Sequence, residues 1–266
     1  MTPDQHEMTA EKLIGAEVNR RQIGCISQEH PQMDMGDAYA IQAAVVHKKL
    51  ALGGHIIGRK IGLTSRAMQM QLGIDVPDSG ILLDNMRFEN RCVIPEGRFI
   101  EPRLEAEIAF VMSGDLRGPG VTAGDVLRAT DYVSPALEIL DTRIFRVDPV
   151  TGKRRNVLDT ISDNAANAGI ILSDTRHRPA DVDLRWVGAV VTRNDVVEET
   201  GLGAGVLGDP LASMAWLANR LAKRGDCIHK GEIVLSGSFI RAIEAPPGSE
   251  FHADFGAFGA LSCRFA

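Results

Sequence analysis

The apolar positions in the first fifty residues recur with the period of an α-helix. One apolar stripe is formed by Tyr39, Ala43, Val46 and Leu50. This stripe predicts a helix over residues 37–52, and the pair Gly53-Gly54 is a typical helix end. The spacing therefore indicates a helical beginning of the chain.

The first residues of the chain carry a helix start signal. Thr2 can cap a helix that has Pro3 in its first position, and the side chain of Gln5 can close a capping box. Together with the apolar stripe, this signal predicts that residues 2–52 are largely helical.

From about residue 56 the pattern changes to short, β-branched segments separated by Gly, Pro, Asn and Asp, which is typical of strands joined by turns. The segments are HIIGRKIGL, RCVIP, EAEIAFVM, YVSPALEIL, RWVGAVVTRNDVVEE, GEIVLSGSF and GALSCRFA. Within residues 192–199, the pair Asn194-Asp195 predicts the turn of a β-hairpin.

Two further helices are predicted between these strands. The segment TAGDVLRAT begins with Thr122 and Asp125 in capping relation. The segment DPLASMAWLANRLAKRG has Asp209 as its cap and Pro210 at its first position, and Gly225 ends it. The complete pattern predicts an α+β fold.

The change of pattern also predicts how the chain is divided. We expect a smaller helical N-terminal part over residues 1–75 and a β-rich core over residues 76–266. The chain has 266 residues, which suits one sizeable domain with a smaller appendage.

The charge, the apolar runs and the cysteines of the chain argue against several classes of binding partner. The net charge of −6 and the absence of a long run of Lys and Arg argue against nucleic-acid binding. No apolar run is long enough to span a bilayer, and the first residues lack an apolar signal core. Four cysteines are scattered without a zinc-ligand spacing, namely Cys25, Cys92, Cys227 and Cys263. We therefore expect a cytoplasmic protein that binds neither nucleic acid nor membranes.

The segment EPRLEAEIAF places two carboxylates on one strand face, because Glu105 and Glu107 alternate with apolar residues. Same-face neighbours on a strand are about 7 Å apart, so both side chains can converge on one point. Two negative charges about 5 Å apart repel by about 3 kcal/mol at an effective dielectric of 20. Water, an arginine or a metal ion could offset that repulsion.

A third acid lies in a similar strand. In the segment SPALEILDTR, Glu138 shares a strand face with the apolar residues Ala136 and Leu140. A divalent cation such as Mg²⁺ or Mn²⁺ requires this geometry, in which Glu105 and Glu107 lie on one strand and Glu138 lies on a neighbouring strand. In the alternative interpretation, the first two acids lie on a solvated face and Glu138 makes a cross-strand ion pair. The residues alone leave both interpretations open.

Two more charged residues are candidates for chemistry. Lys60 lies in the apolar segment GRKIGLTS, where it either extends to solvent or is held near acids as a base or an electrostatic clamp. Asp78 lies in DVPDSG, which is typical of a turn whose aspartate binds its own backbone.

Six motifs together resemble the hydratase branch of the fumarylacetoacetate hydrolase superfamily: GRKIGLTS, VPDSGILLDNM, PRLEAEIAF, ATDYVSPALEILDTR, DTISDNAANAG and VLSGSF. The resemblance extends from about residue 10 to the C-terminal SCRFA. It implies a twisted mixed β-roll with a smaller N-terminal domain, and assembly into homo-oligomers of five or ten chains.

The resemblance also implies roles for the charged residues. Glu105, Glu107 and Glu138 correspond to the glutamates with which the family holds Mg²⁺ or Mn²⁺. Lys60 and Asp78 correspond to the family's lysine and aspartate, which are thought to move protons.

The implied activity is addition of water to a 2-hydroxy-dienoate or 2-oxo-enoate in aromatic catabolism, with 2-hydroxyhepta-2,4-diene-1,7-dioate as the expected substrate. Hydration of 2-hydroxypenta-2,4-dienoate and decarboxylation of 4-oxalocrotonate are alternatives within the family.

The family's decarboxylases lack the acid of the PD-x-G motif, so Asp78 favours hydration. A C–C hydrolase is disfavoured because no His-Glu pair suits water activation. A non-catalytic scaffold would not need the three glutamates, Lys60 and Asp78.

Five residues are predicted to bind the substrate carboxylates. Gly237 and Ser238 in SGSF can contact one carboxylate, although a tight strand end would explain the same motif. The distal carboxylate of a seven-carbon diacid needs a cation, and we expect Arg154 and Arg155 of FRVDPVTGKRRN, or Arg143 beside it, to supply this charge. A solvated loop is the alternative for this basic run.

Overall fold

The structure is a computed structural model that describes residues 1–66, 69–70 and 76–266. The helices of the described residues are α1 (Pro3–Asn19), α2 (Ile26–Glu29), α3 (Met35–Ala51), α4 (Ala123–Ala129), α5 (Val157–Ser162) and α6 (Pro210–Ala222). In this part of the chain, no helix combines the length and the apolar character that crossing a bilayer requires.

The N-terminal helices pack on one another through a small apolar core that includes Leu13, Ile41 and Ile161. Helix α1 begins as predicted, because Thr2 and Gln5 form a reciprocal capping box. Helix α3 begins two residues before the predicted start, since Asp34 caps it.

The strands of the described residues form two mixed sheets. They are β1 (Ile56–Gly62), β2 (Asp78–Leu83), β3 (Arg87–Phe88), β4 (Cys92–Ile94), β5 (Arg103–Met112), β6 (Thr130–Leu140), β7 (Asn167–Leu172), β8 (Gly188–Arg193), β9 (Val196–Leu202), β10 (Ile233–Leu235), β11 (Ile243–Glu244), β12 (Glu250–Asp254) and β13 (Ala260–Phe265). The larger sheet has the order β2-β1-β10-β5-β6-β7-β3, with β11 added to β5, and the smaller one has the order β4-β13-β12-β8-β9. This arrangement confirms the predicted α+β class.

The larger sheet has one apolar face and one face that carries charge. On β5, the side chains of Leu104, Ala106, Ile108 and Phe110 are fully buried in the main core. The same core contains residues of the smaller sheet and of α6. Because side chains alternate along a strand, Glu105 and its same-face neighbours lie on the other face of the sheet.

The predicted caps and the hairpin turn are confirmed. Thr122 forms a capping box at α4, and Asp209 caps α6 with Pro210 in its first turn. Strands β8 and β9 pair as a hairpin, in which Asn194 and Asp195 both have positive φ.

The prediction of a turn at Asp78 was wrong. Asp78 is the first residue of β2, where it pairs antiparallel with Gly62 of β1. Pro77 lacks an N–H, so the ladder begins only after it. Strands β3, β7, β11 and β12 were not predicted either.

The predicted division at residue 75 stays a prediction, and residue 75 itself lies outside the described residues. Strand β1 precedes that boundary in the chain, yet it belongs to the larger sheet together with the strands of the predicted core.

Candidate metal and catalytic site

Three glutamates meet on the charged face of the larger sheet. Strands β5 and β6 are antiparallel, and their register places Glu105 directly opposite Glu138. Glu107 follows Glu105 on the same face of β5. Each residue offers a carboxylate oxygen, and these three oxygens lie within 4.8 Å of one another. Two separate segments of the chain thus form one carboxylate cluster.

The carboxylate cluster has buried oxygens that no hydrogen-bond donor satisfies. Glu107 and Glu138 are fully buried, and Glu105 is partly exposed. Oε2 of Glu107 accepts a hydrogen bond from the N–H of Gly237 at 2.7 Å. Oε1 of Glu107 and Oε2 of Glu138 have no hydrogen-bond partner, and Oε1 of Glu138 has only an ion-pair contact with Lys60. Orphaned carboxylate oxygens around one point fit a hard divalent cation such as Mg²⁺ or Mn²⁺.

The carboxylate cluster shifts the pKa of its members upward. Burial, followed by the charge of Glu138, raises the pKa of Glu105 to about 8. The same two causes raise the pKa of Glu107 well above its ordinary value. Burial also raises the pKa of Glu138, although the charge of Lys60 opposes this shift.

Lys60 is held inside the protein by the acids, so the interpretation that it extends to solvent is wrong. Its side chain is 4% exposed, and its Nζ lies 3.3 Å from Oε1 of Glu138. Burial alone would lower the pKa of Lys60, but the charges of Glu138 and Asp78 together with those of two other acids raise it above the ordinary value. The ammonium therefore stays protonated.

Asp78 faces the same space from the neighbouring strand. It is buried, its Oδ1 has no hydrogen-bond partner, and burial raises the pKa of its carboxyl while the charge of Lys60 opposes the shift. A Cβ on Gly62 would lie 2.2 Å from this Oδ1 and 3.2 Å from Nζ of Lys60. Only a glycine at position 62 leaves room for both charged groups.

The charged face continues into a buried apolar patch. Leu235 of β10 pairs with both Lys60 and Ala109, and Ile170 of β7 pairs with Glu138. The patch consists of Leu82, Ala109, Ala136, Ile170, Ile233 and Leu235. A ligand bound at the carboxylate cluster would thus have a hydrocarbon surface beside it.

The predicted contact of Gly237 and Ser238 with a substrate carboxylate stays a prediction, and within the protein both residues already have hydrogen-bond partners. The N–H of Gly237 donates to Glu107, and its φ of 114° together with the close side chain of Thr64 excludes a larger residue. The hydroxyl of Ser238 donates to the carbonyl of Ile240 and accepts from the N–H of the same residue. These contacts describe a tight strand end that positions a glutamate.

The predicted arginines lie in three different environments. Arg143 is buried, with Nε 2.5 Å from Oδ1 of Asp163, so its guanidinium is already paired inside the protein. Arg154 is exposed to solvent. Arg155 is partly buried and donates to the hydroxyl of Thr142.

Arg155 is the predicted arginine whose charge reaches the site. No carboxylate of the described residues lies within ion-pair distance of its guanidinium. Burial raises the pKa of Asp78, and the charge of Arg155 opposes this rise less strongly than the charges of Lys60 and Arg220 do. Sequence reasoning had placed Arg155 correctly in a basic loop, but only the fold distinguishes it from its neighbours.

Gly62 is a site residue that sequence reasoning missed. Gly58 and Gly62 flank Lys60 on a strand, where glycine is unfavourable unless another group approaches closely. That spacing could have indicated a crowded position beside the lysine.

Comparison with known proteins gives close matches over the whole chain, although no protein-family model matches it. The chain is 50% identical to the 2-oxo-hept-4-ene-1,7-dioate hydratase of Escherichia coli, over 98% of this chain and 97% of that protein. It is 37% identical to a 2-keto-4-pentenoate hydratase of Paraburkholderia xenovorans, over 100% and 96% of the two chains. The structure of 4-oxalocrotonate decarboxylase from Pseudomonas putida G7 with magnesium and adipate superimposes with a TM-score of 0.94 at 36% identity, covering 100% of this chain and 99% of that one.

Proposed function

The chain belongs to the hydratase and decarboxylase branch of the fumarylacetoacetate hydrolase superfamily, and we propose that it hydrates 2-oxo-hept-4-ene-1,7-dioate to 4-hydroxy-2-oxoheptanedioate. The observation that carries this proposal is the carboxylate cluster, with Lys60 and Asp78 beside it. The 50% identity to a hydratase of that substrate supports the choice of a seven-carbon diacid.

Glu105, Glu107 and Glu138 are the residues that would hold the divalent cation. When bound, Mg²⁺ or Mn²⁺ supplies a Lewis acid for the 2-oxo group of the substrate. The N–H of Gly237 fixes one oxygen of Glu107, which orients that carboxylate toward the other two.

Lys60 and Asp78 have different tasks in this proposal. In the dienol form the 2-hydroxyl loses its proton while C5 gains one, which gives the 2-oxo-3-enoate; water then adds its hydroxyl at C4 and a proton at C3. Asp78 suits these proton transfers, because its buried Oδ1 is free and its raised pKa brings the protonated form closer to neutral pH. Lys60 stays charged, so it stabilises negative charge that develops on the substrate.

The activity is tested with the metal-depleted protein and the five-, six- and seven-carbon 2-hydroxy-dienoates, with and without Mg²⁺. We expect Mg²⁺-dependent loss of the dienol absorbance, fastest for the seven-carbon diacid. Glu138→Gln should lower kcat at least about 100-fold, because it removes a charged ligand. Glu250→Gln, an exposed acid on β12, should retain the activity.

Two outcomes would contradict the proposal. Release of CO₂ from 4-oxalocrotonate at a rate that exceeds hydration would identify a decarboxylase. A scaffold would lose stability on metal removal without ever showing turnover, whereas we expect the metal-depleted enzyme to remain folded and inactive.

Arg155 is the residue that we assign to the distal carboxylate. Arg155→Ala should lower kcat/KM for the seven-carbon diacid about 30-fold or more, since losing one partner of a charged hydrogen bond costs about 2–5 kcal/mol. The five-carbon monoacid should lose little, and Arg154→Ala is the matched control in the same loop. An equal loss on both substrates would remove this assignment.

A further inference from the structure

A second group of metal-ligating side chains lies outside the carboxylate cluster and consists of Asp115, Cys227 and His229. Each offers one ligand atom, and the carboxylate oxygen, the sulfur and the ring nitrogen lie within 4.8 Å of one another. Two segments that are distant in sequence meet here, because Leu116 and Ile228 form an antiparallel bridge. The proposed hydration reaction uses none of these three residues.

The spacing of two donors already matches a tetrahedral metal site. Sγ of Cys227 lies 3.6 Å from Nδ1 of His229. Zinc binds thiolate sulfur at about 2.3 Å and imidazole nitrogen at about 2.0–2.1 Å, so two adjacent ligands of a tetrahedral zinc lie about 3.6 Å apart. Sγ also lies 3.9 Å from Nε2 of the same ring, so the half-exposed imidazole has to rotate until one nitrogen faces an ion shared with the sulfur.

Neighbouring carboxylates hold the ligands in this arrangement. Oδ1 of Asp226 accepts the N–H of Cys227 at 2.8 Å and lies 3.6 Å from Nε2 of His229. Oε2 of Glu232 accepts the N–H of His229 at 3.1 Å. Arg59 pairs with both carboxylates and fixes them from strand β1. At 3.6 Å the Asp226 carboxylate lies beyond hydrogen-bond distance of the ring nitrogen, so it has to move closer to support a metal-binding histidine.

The group is open to an ion from one side. Cys227 is buried, whereas the side chains of His229 and Asp115 are 52% and 48% exposed. Oδ1 of Asp115 accepts the N–H of Lys230, which fixes the carboxylate, and its Oδ2 makes a long contact of 3.4 Å with Arg117. An ion can thus enter from solvent and keep a water as its fourth ligand.

We infer that Asp115, Cys227 and His229 form a site for a thiophilic divalent cation of the zinc class, separate from the carboxylate cluster. Sulfur and nitrogen donors select zinc or cobalt over magnesium, whereas the oxygen-only cluster suits magnesium. Binding forms a sulfur–metal bond, and the thiol proton of Cys227 passes to solvent. No oxidant or reductant takes part.

Cobalt titration of the whole protein tests this site. The protein is freed of metal, given excess Mg²⁺ to fill the carboxylate cluster, and titrated with Co²⁺. We expect one equivalent of Co²⁺ to produce a thiolate-to-cobalt charge-transfer band in the near ultraviolet, and Zn²⁺ to remove that band. Oxygen ligands alone give no such band, so Co²⁺ in the carboxylate cluster would not imitate it.

Variants identify the ligands. Cys227→Ser should abolish the band, and His229→Ala should weaken Co²⁺ binding at least about tenfold. His229 is half-exposed, so its variant should fold even where the buried Cys227 variant does not. Cys92→Ser and Glu138→Gln should keep the band, because neither residue belongs to this group. Absence of the band in the unaltered protein, its persistence in Cys227→Ser, or an unchanged Co²⁺ affinity in His229→Ala would overturn the inference.

Discussion

At the scale of single residues, the carboxylate cluster is a problem of charge. Glu105, Glu107, Glu138 and Asp78 are four acids, and Lys60 is the one cation that pairs with them at close range among the described residues. Fully ionised, this set carries a formal charge of −3, which a buried face tolerates poorly. This unfavourable electrostatic energy raises the pKa of the acids, and a bound divalent cation would offset most of the negative charge.

The pKa of Glu105 predicts how Mg²⁺ binding depends on pH. Without a bound cation, the folded protein keeps the proton of Glu105 up to about pH 8, whereas the unfolded chain loses it near 4.5. The proton of Glu105 competes with Mg²⁺, so the apparent affinity for Mg²⁺ should rise at least about tenfold per pH unit from pH 6 to pH 8, and more steeply if Glu107 also releases a proton. Calorimetric titration in buffers of different ionisation heat measures both the affinity and the proton released.

The same shift predicts the stability of the metal-depleted protein. Between pH 4.5 and 8 the folded state binds more protons than the unfolded state, so its stability should fall as pH rises through this window. Added Mg²⁺ should therefore raise Tm more at pH 8 than at pH 6. In Glu105→Gln both pH dependences should become shallower, and unchanged slopes in this variant would contradict the assignment.

At the scale of elements, the site depends on which strands lie side by side. Alternation along β5 is a local property, so the sequence could predict that Glu105 and Glu107 share a face. The apolar setting of Glu138 could suggest a neighbouring strand for the same reason. Strand β10 lies between β1 and β5, however, and its residues 233–235 are far from both in the chain. Pairing over such separations has no local signature, so the approach of Lys60 to the acids could not be predicted from spacing.

The environments of the predicted arginines also could not be predicted from the sequence. Arg143 and Arg155 belong to one basic stretch of sequence and look equally suited to an anionic substrate. Asp163 pairs with Arg143, whereas among the described residues the guanidinium of Arg155 donates to the hydroxyl of Thr142 and forms no ion pair. Whether a cation is already neutralised depends on tertiary contacts, and the family resemblance carried no information on this point.

The close approach of β1 and β2 predicts the effect of a single methyl group. Gly62→Ala would place a Cβ 2.2 Å from Oδ1 of Asp78, so the carboxyl must move away from Lys60. A displacement of about 1 Å at a catalytic group costs about 100-fold, and we expect kcat to fall by at least that factor. Steady-state kinetics of the purified variant measure this loss.

Gly114→Ala is the matched control, because a Cβ at position 114 meets no atom within 4 Å. It should retain kcat and Tm. A fully active Gly62→Ala enzyme would show that the position of Asp78 does not limit the reaction.

At the scale of the whole molecule, the smaller sheet leaves one side open. Strand β9 pairs with β8 and ends the sheet as the structure describes it. Val196 and Val197 on this edge are 64% and 57% exposed, and Trp186 nearby in sequence is 72% exposed. Exposed apolar side chains along an edge strand are typical of a contact surface between chains.

The family resemblance implies rings of five or ten chains, and the β9 edge is the surface that we expect to join them. Light scattering after size exclusion should give a mass five or ten times the 28.7 kDa of one chain. Val197→Glu places a charge on this edge, so the mass should fall while the circular dichroism spectrum is retained. Val18→Glu, at an equally exposed valine of α1, should leave the mass unchanged. A single-chain mass for the unaltered protein would contradict the assembly, and an unchanged mass for Val197→Glu would place the interface elsewhere.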